Sequence, residues 1–341
     1  MTQPIFITLF TVGLAGLLGF AAQRASICTV RAVGEMFTTG RAIMLLSFGK
    51  TVLWVIFATL ALRMMLPVTT VSYGDLSLYS FLGGFLFGVG ATLNGGCAIS
   101  MLANLASGKL SMLLSIAGMV IGATGYLLYA PAGGMPVASV ATYMPTNSEA
   151  ISTIVTALLS LWAARELYRM WRGRSIDRSI LGRLLEKRYR LSTAAFLIGA
   201  SNAALLVFYG SWSFTNLINR TVMQRMGMVA EIHWIYWLLV ASVIGGMLAS
   251  AVLRGKFRLE WRPDMRWPAQ FAGGLLMGLG AAMVPGGNDE LIFRGIPSLS
   301  LSALVAYGAI ILGIAMALKV MLLMGQKIET IDCSGDVCKI R

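Results

Sequence analysis

Apolar stretches alternate with short polar segments along the whole chain of 341 residues. Several of them approach the ~20 residues that an α-helix needs to cross ~30 Å of hydrocarbon. We predict nine membrane spans, near Ile5 to Ala22, Ala42 to Leu62, Tyr79 to Leu93, Ser111 to Ala130, Ala150 to Ala164, Ser192 to Phe208, Trp234 to Leu253, Ala269 to Met283 and Ser300 to Met324. The first stretch is too long for the core of a signal peptide and has no basic residue before it, so we keep it as a span. The pattern therefore predicts an all-α polytopic membrane protein.

A glycine-rich apolar segment occurs twice, at residues 83–97 and 273–288. Its glycines align without a gap, and each copy then runs into a Gly-Gly pair, Gly95-Gly96 in the first and Gly286-Gly287 in the second. The pair is followed by Cys97 in one copy and by Asn288 in the other. A duplicated helix that breaks at Gly-Gly indicates a transporter built from internal repeats, with its substrate site at the broken ends.

The distribution of charge predicts how the chain is oriented. Lys and Arg (27) outnumber Asp and Glu (14), and the basic residues concentrate in residues 165–190 and 254–266, whereas residues 1–23 and 131–148 contain none. The positive-inside rule therefore predicts an inner-membrane protein with the N-terminus outside and both basic loops and the C-terminus in the cytoplasm. Because topology explains most of the charge, lipid is an expected partner and nucleic acid is not.

Nine spans make the two halves of the chain oppositely oriented, as in inverted-repeat transporters. The Cys28 and Gly96-Cys97 segments then approach from the cytoplasmic side, and Gly287-Asn288 approaches from outside. We divide the chain into a first membrane repeat (1–166), a basic cytoplasmic linker (167–190), a second membrane repeat (191–325) and a cytoplasmic tail (326–341).

The polar segments after certain spans are the candidate binding site, because non-helical backbone survives at membrane depth only inside protein or along a polar cavity. A short helix that starts at Gly-Gly offers unpaired N–H groups and a partial positive charge to an anion. The candidate substrate-binding residues there are Cys28, Gly95, Gly96, Cys97, Gly286, Gly287 and Asn288. Two structural alternatives remain open: the cysteines as small apolar fillers, and the glycines as helix-packing residues, the better interpretation for Gly83, Gly84, Gly88 and Gly90.

Several of these residues resemble a known family. Gln23-Arg24 followed by Ser26 and Cys28, the Gly-x-Gly-x-x-x-x-Gly-Gly-Cys run from Gly88 to Cys97, and the duplicated second run together resemble the YeeE/YedE family of sulfur-compound transport proteins. The resemblance implies thiosulfate uptake through an hourglass constriction of broken helices, with cysteines along the path, to which Cys28 and Cys97 correspond. It also implies a small cytoplasmic sulfurtransferase-like carrier as a partner.

The chain departs from that family after the second Gly-Gly pair, where Asn288 stands in place of a third cysteine. An amide donates hydrogen bonds to an oxyanion but lacks the soft contact that a thiol makes with sulfur. The neighbouring Asp289 and Glu290 would repel an anion unless they are paired, protonated or turned away. Arg294, four residues after Glu290, is the expected partner if this stretch is helical. Thiosulfate and another small sulfur or selenium compound both remain candidate substrates.

Two basic residues complete the candidate site. Lys50 lies within a predicted span, where a charge must face the bundle interior or water, so it is either part of an anion path or paired structurally. Arg24 is placed to attract an anion at the inner mouth, although positive-inside anchoring explains it as well.

The remaining cysteines, Cys333 and Cys338, lie in the predicted cytoplasmic tail. A disulfide between them is not expected in that compartment, and contact with the sulfur carrier or a disordered tail with incidental thiols are the alternatives. No zinc-site spacing and no P-loop occur, so no metal, cofactor or catalytic residue is predicted.

A transporter or conduit for a small sulfur-containing anion is therefore the leading hypothesis, and the chain is not expected to be an enzyme. The alternatives are a membrane thiol oxidoreductase that uses Cys28 and Cys97, and a membrane subunit of a larger sulfur-trafficking complex.

The predicted orientation is testable by labelling. A cysteine introduced into the 131–148 loop should react with an impermeant thiol reagent from outside the cell, whereas one introduced near Arg174 should react only after the membrane is opened. The reverse pattern would contradict the assigned orientation.

Overall fold

The computed structural model describes residues 5–63, 76–130, 149–172, 186–261, 266–284, 286–326 and 328–340. The first series of helices consists of α1 (Ile5–Ala25), α2 (Thr29–Thr39), α3 (Ile43–Arg63), α4 (Leu78–Asn94), α5 (Ala98–Ala106) and α6 (Met112–Tyr129). A connecting helix, α7 (Glu149–Arg172), follows it. The second series consists of α8 (Leu191–Tyr209), α9 (Phe214–Arg225), α10 (Ile235–Leu253), α11 (Trp267–Met283), α12 (Asn288–Glu290, continued by a π-helical turn over Leu291–Gly295) and α13 (Leu301–Leu323). Both series therefore have the same order of long and short helices.

Corresponding helices of the two series run in opposite directions. The Thr11 hydroxyl near the start of α1 lies 3.1 Å from the Tyr209 hydroxyl at the end of α8. At the other end, the backbone N–H of Tyr189, just before α8, donates to the carbonyl of Arg24 in the last turn of α1. Helices α4 and α11 are likewise antiparallel, because Gly83 meets Gly280 and Gly90 meets Gly273. The predicted inverted repeats are confirmed.

The main helix contacts obey a pseudo-two-fold relation. Helix α4 packs against α11 and α13, and its counterpart α11 packs against α4 and α6. Helix α1 packs against α8 and α10, while α8 packs against α1 and α3. Each contact in one half thus has a counterpart in the other, as expected for inverted repeats around an axis in the membrane plane.

The described residues contain seven segments that are long and apolar enough to cross a membrane, and the pair α11 and α12, bent by 46°, makes an eighth. The predicted fifth span lies in α7, which is outside that set. However, α6 begins beside the end of α1, where Gln23 donates to Ser107 at 2.8 Å, and it therefore ends at the opposite face. Helix α8 starts back beside Arg24, so α7 lies in the sequence between a helix that ends at one face and a helix that begins at the other. Helix α7 runs antiparallel to α3 through this stretch, with Trp162 against Trp54.

One predicted domain boundary falls within a helix, and several predicted loops lie outside the described residues. Helix α7 continues to Arg172, so the predicted boundary between residues 166 and 167 falls inside a helix. The predicted outer loop at residues 131–148, and residues 173–185 and 262–265 of the basic segments, lie outside the described residues.

Glycine permits the close packing of the long helices. A methyl group at Gly280 would lie 2.4 Å from the carbonyl oxygen of Gly83, and one at Gly90 would lie 2.6 Å from that of Gly273. At Gly84 and Gly88 it would lie within 2.3 Å of carbonyl oxygens of α13. The packing interpretation of these first-repeat glycines is confirmed, because no side chain fits between the helices.

The tail contradicts the expectation that its cysteines are unpaired. Cys333 and Cys338 form a disulfide within a hairpin whose strands β1 (Ile331–Asp332) and β2 (Lys339–Ile340) are antiparallel. The turn brings the two Cα atoms within 3.9 Å, so the pair is in bridging reach within a locally closed loop. The hairpin docks on the bundle, where Asp336 accepts from the backbone N–H of Ser192 at the start of α8 at 3.2 Å. A disordered tail is therefore also excluded.

The glycine contacts predict an asymmetric response to one added methyl group. Gly280→Ala should destabilise the protein by about 1–3 kcal/mol, because the methyl group overlaps the α4 backbone. Gly308→Ala on α13 is the control, because no atom lies within 4 Å of its added methyl group and alanine favours a helix. Thermal unfolding in detergent should show a lower midpoint for the first variant only, and equal midpoints would contradict the packing argument.

Candidate functional site

Short helices begin together at the centre of the bundle. The N-cap residues of α2, α5 and α9 are Cys28, Cys97 and Ser213, and none of these side chains forms a capping hydrogen bond to its own helix. Gly287 holds the same position before α12. The first N–H groups of a helix lack intrahelical partners and carry a partial positive charge. The convergence therefore produces a buried region suited to an anion. We call the part formed by Cys28, Thr29, Cys97, Ala98 and Asn288 the central junction.

The two thiols of the central junction lie against each other. The Cys28 thiol faces the Cys97 thiol and the backbone N–H groups of Arg31 and Cys97. The Cys97 thiol faces the backbone N–H groups of Ser100 and Thr29. Both cysteines are free and about 1% exposed. Each thiol thus sits between the start of its own helix and the start of the other one.

Asn288 connects the second repeat to this pair. Its side-chain amide donates to the Thr29 hydroxyl at 3.2 Å, and its amide oxygen accepts from the backbone N–H of Ala98 at 3.3 Å. Asn288 therefore bridges the N-termini of α2 and α5 and is itself fully buried. Although it follows the break that enters from the opposite direction, it reaches the same level as the two cysteines.

The first Gly-Gly break is held in place by Asn94. Gly95 ends α4 in the left-handed region (φ +78°), which favours glycine. The Asn94 amide donates to the Gly96 carbonyl at 3.0 Å and accepts from the Ser115 hydroxyl at 2.5 Å. A methyl group at Gly96 would lie 2.7 Å from the Ser100 hydroxyl oxygen, so the chain has no room for a side chain beside the thiols.

The second break is occupied by carboxylates that are paired with protein groups. Asp289 accepts from the Thr215 backbone N–H at 3.1 Å and from its hydroxyl at 2.5 Å, at the start of α9. Glu290 accepts from the hydroxyls of Ser211 and Ser213, both at 2.6 Å. The expected ion pair between Glu290 and Arg294 is present at 2.9 Å. The two negative charges are therefore directed toward donors of the second repeat.

The Gly286-Gly287 pair shapes this second break. Gly286 has φ +132°, and a methyl group there would lie 2.5 Å from Cβ of Glu290. The Gly287 N–H donates to the Thr215 hydroxyl at 2.7 Å, and a methyl group at Gly287 would overlap the ring of Phe87. These glycines allow α12 to lie directly against α9 and α4.

Comparison with known proteins places this architecture in a family. The sequence pattern described as Sulphur transport matches residues 24–316. The chain belongs to the Sulphur transport family. It is 25% identical over 333 residues to the thiosulfate transporter TsuA of Spirochaeta thermophila, and the match covers 87% of this chain and 94% of the relative. The resemblance inferred from the Gly-Gly-Cys motif is confirmed, and the chain is a multi-pass membrane protein of this family.

Two of the sequence-predicted site residues lie apart from the central junction of this Sulphur transport protein. Lys50 on α3 pairs with Glu166 on α7 at 2.5 Å and donates to the Ser192 hydroxyl at 2.9 Å. Arg24 donates to the Ser250 hydroxyl at 3.1 Å and to the carbonyl of Glu186. These contacts of Lys50 match the structural pairing that was the alternative to a place in an anion path.

Arg24 belongs to what we call the basic face, the end of the bundle where α1 and α10 end and α8 begins. Arg254 lies there and donates to the Gln23 carbonyl at 2.9 Å. Burial, together with the positive charges of Arg254, Arg188 and Arg31, lowers the pKa of Lys256. Like charges that depress a lysine pKa in this way create a positive potential, which attracts anions.

Several residues of the site were not among those predicted from the sequence. Thr29, Asn94 and Thr215 are polar residues next to helix breaks, so their position was a usable signal. Tyr307 on α13 also faces the central junction, yet it lies within a long apolar span where nothing marks it. Among the described residues, no group of three or more His, Cys, Asp or Glu side chains is placed to hold a metal ion.

The pairing of Lys50 predicts a stability effect. Lys50→Met leaves the buried Glu166 with Arg169 at 3.9 Å as its remaining ion-pair partner. We expect a loss between the ~1 kcal/mol of an exposed pair and the ~3–5 kcal/mol of a buried one. The double variant Lys50→Met/Glu166→Gln should recover part of that loss in thermal unfolding. If Lys50→Met instead keeps full stability but weakens anion uptake, Lys50 belongs to the anion path.

Proposed function

We propose that this protein is an inner-membrane transporter or conduit for a small sulfur-containing anion, with thiosulfate as the leading substrate. Membership of the Sulphur transport family and similarity to a relative named as a thiosulfate transporter support this proposal. The structural observation that most strongly supports this function is the central junction. There, two free thiols lie at the starts of two short helices in the middle of an inverted-repeat bundle.

The chemistry of the central junction fits an anion with a sulfur end. The starts of α2 and α5 stabilise negative charge through their N–H groups and helix dipoles. A thiol is polarizable and a weak hydrogen-bond donor, so it contacts an anionic sulfur atom without forming a covalent bond. Thiosulfate, which has a terminal sulfur and three oxygens, suits both kinds of contact at once.

The carboxylates of the second repeat favour binding of the substrate anion at the helix starts of the first repeat. Asp289 already supplies a carboxylate to the start of α9, so the protein's own anion occupies that helix end. In the aligned copy the uncharged Ala98 stands where Asp289 stands, and the side chains that contact the α5 start are the neutral amide of Asn288 and the two thiols. A substrate anion therefore competes with an amide at α5, and with a carboxylate at α9.

Transport through this site requires a rearrangement. Cys28, Cys97 and Asn288 are each at most 1% exposed, so the central junction is closed toward both faces. Because Asn288 bonds to both α2 and α5 from the second repeat, movement of α12 would free the Thr29 hydroxyl and the Ala98 N–H together. We assign the opening step to this contact between the repeats.

The basic face is assigned to the cytoplasm by the positive-inside rule. Its arginines and Lys256 then attract the anion as it leaves the central junction. A small sulfurtransferase-like carrier that receives the sulfur compound at this face is part of the proposal.

Uptake of labelled thiosulfate into proteoliposomes that contain only this protein tests the proposal. Cys97→Ala and Cys28→Ala should each abolish uptake or reduce it severely at unchanged protein content, because the soft contact at the constriction is lost. The double variant Cys333→Ala/Cys338→Ala is the matched control, since it removes two sulfur atoms away from the central junction, and it should retain uptake. Competition with sulfite, sulfate and selenite in the same assay defines the substrate class.

The other function classes give different results. A thiol oxidoreductase would show redox turnover without flux, and a subunit of a larger complex would be inert alone. Normal uptake by Cys97→Ala would return that residue to the role of an apolar filler.

A further inference from the structure

Tyr307 places an unused hydrogen-bonding group at the centre of the protein. It lies on α13, which packs against α4 and α2, and it is 9% exposed. Its hydroxyl makes no hydrogen bond of normal geometry with any described residue, although the Thr29 side chain lies close enough to interact with it. A buried hydroxyl without a partner is unfavourable, so its position in an apolar helix calls for an explanation.

The surroundings of this hydroxyl belong to the central junction. The phenol lies beside the Thr29 side chain and within electrostatic range of Cys97 and Cys28. The Thr29 hydroxyl accepts from Asn288, whose amide oxygen in turn accepts from Ala98. The Tyr307 O–H thus lacks a well-formed hydrogen bond, and it lies beside the start of α2 within electrostatic range of both thiols.

We propose that the Tyr307 hydroxyl donates a hydrogen bond to an oxygen of the bound anion and is a specificity-determining residue for oxyanions of sulfur. This inference rests on the function proposed above. The thiols contact the sulfur end of the substrate, and the phenol, a harder donor, contacts its oxygen end. The two kinds of group together orient a two-ended anion such as thiosulfate.

This arrangement also determines which anions are disfavoured. The hydrosulfide ion (HS⁻) has a soft sulfur but no oxygen, so it contacts the thiols but gives the Tyr307 phenol no hydrogen-bond acceptor oxygen. Sulfate satisfies the phenol but presents no soft sulfur end to the thiols. An anion that carries both ends satisfies every group, and a site with a polar group left unpaired discriminates strongly against analogues.

Tyr307→Phe tests the inference, because it removes one oxygen and keeps the ring. In proteoliposomes the KM for thiosulfate should rise about tenfold or more with little change in maximal rate, since the lost bond is made to a charged group. Tyr126→Phe is the matched control, a tyrosine on α6 that packs beside Ala123, Leu127 and Val222, and its KM should be unchanged.

Thermal unfolding separates binding from a structural role. Without substrate, Tyr307→Phe should melt at or above the wild-type temperature, because the deleted hydroxyl makes no hydrogen bond of normal geometry to the protein. The upward shift caused by added thiosulfate should be smaller than in wild type. A variant that fails to fold or melts lower without substrate assigns the hydroxyl to structure and overturns the inference.

The two proposals fail in different ways. Wild-type protein that takes up no sulfur anion would overturn the proposed function. Wild-type uptake combined with an unchanged KM in Tyr307→Phe would overturn the inference about Tyr307 alone.

Discussion

The contact between α4 and α11 is the constraint on which the rest of the structure depends. Gly83 faces Gly280 and Gly90 faces Gly273 across this contact, at distances that leave no room for a methyl group. Lipid tails are as apolar as leucine, so helices in a membrane associate through such close packing rather than through the hydrophobic effect. Because the two helices are antiparallel copies of one segment, their Gly-Gly breaks lie toward opposite ends of this contact, and Asn288 after the second break reaches the start of α5 after the first. The central junction follows from that geometry.

The two repeats share a backbone plan but differ in chemistry at their breaks. The first repeat provides thiols and uncharged groups, and the second provides Asp289 and Glu290, which are bonded to hydroxyls and to Arg294. Non-helical backbone is tolerated at this depth because both breaks are enclosed by protein. The break in the second repeat is thus stabilised by its own carboxylates, while the break in the first repeat leaves its helix starts available to a ligand. Asn288 follows the break of the second repeat and bonds to the helix starts of the first repeat.

The fold was predictable because membrane insertion imposes rules that act locally. Each predicted span lies on a long helix, and the duplicated glycines together with an odd number of spans predicted the inversion. The pairing of Glu290 with Arg294 followed from helical spacing alone. The prediction of unpaired cysteines in the C-terminal tail was wrong. The docking of a short hairpin on α2 and α8 leaves no periodic pattern in the sequence. Nor does spacing along the chain show whether a buried lysine such as Lys50 finds a carboxylate on another helix.

The sequence by itself determined the class of the protein, the order of its spans, the inverted repeats and the cysteines that mark the candidate site. These features depend on composition and on contacts between near neighbours, which the order of residues records directly. Only the tertiary structure decided that Cys28, Cys97 and Asn288 meet, that Lys50 and Arg24 lie elsewhere, and that Tyr307 lies beside Thr29. Those facts depend on contacts between residues as far apart as Thr29 and Asn288, and such contacts exist only once the packed helices bring the breaks together.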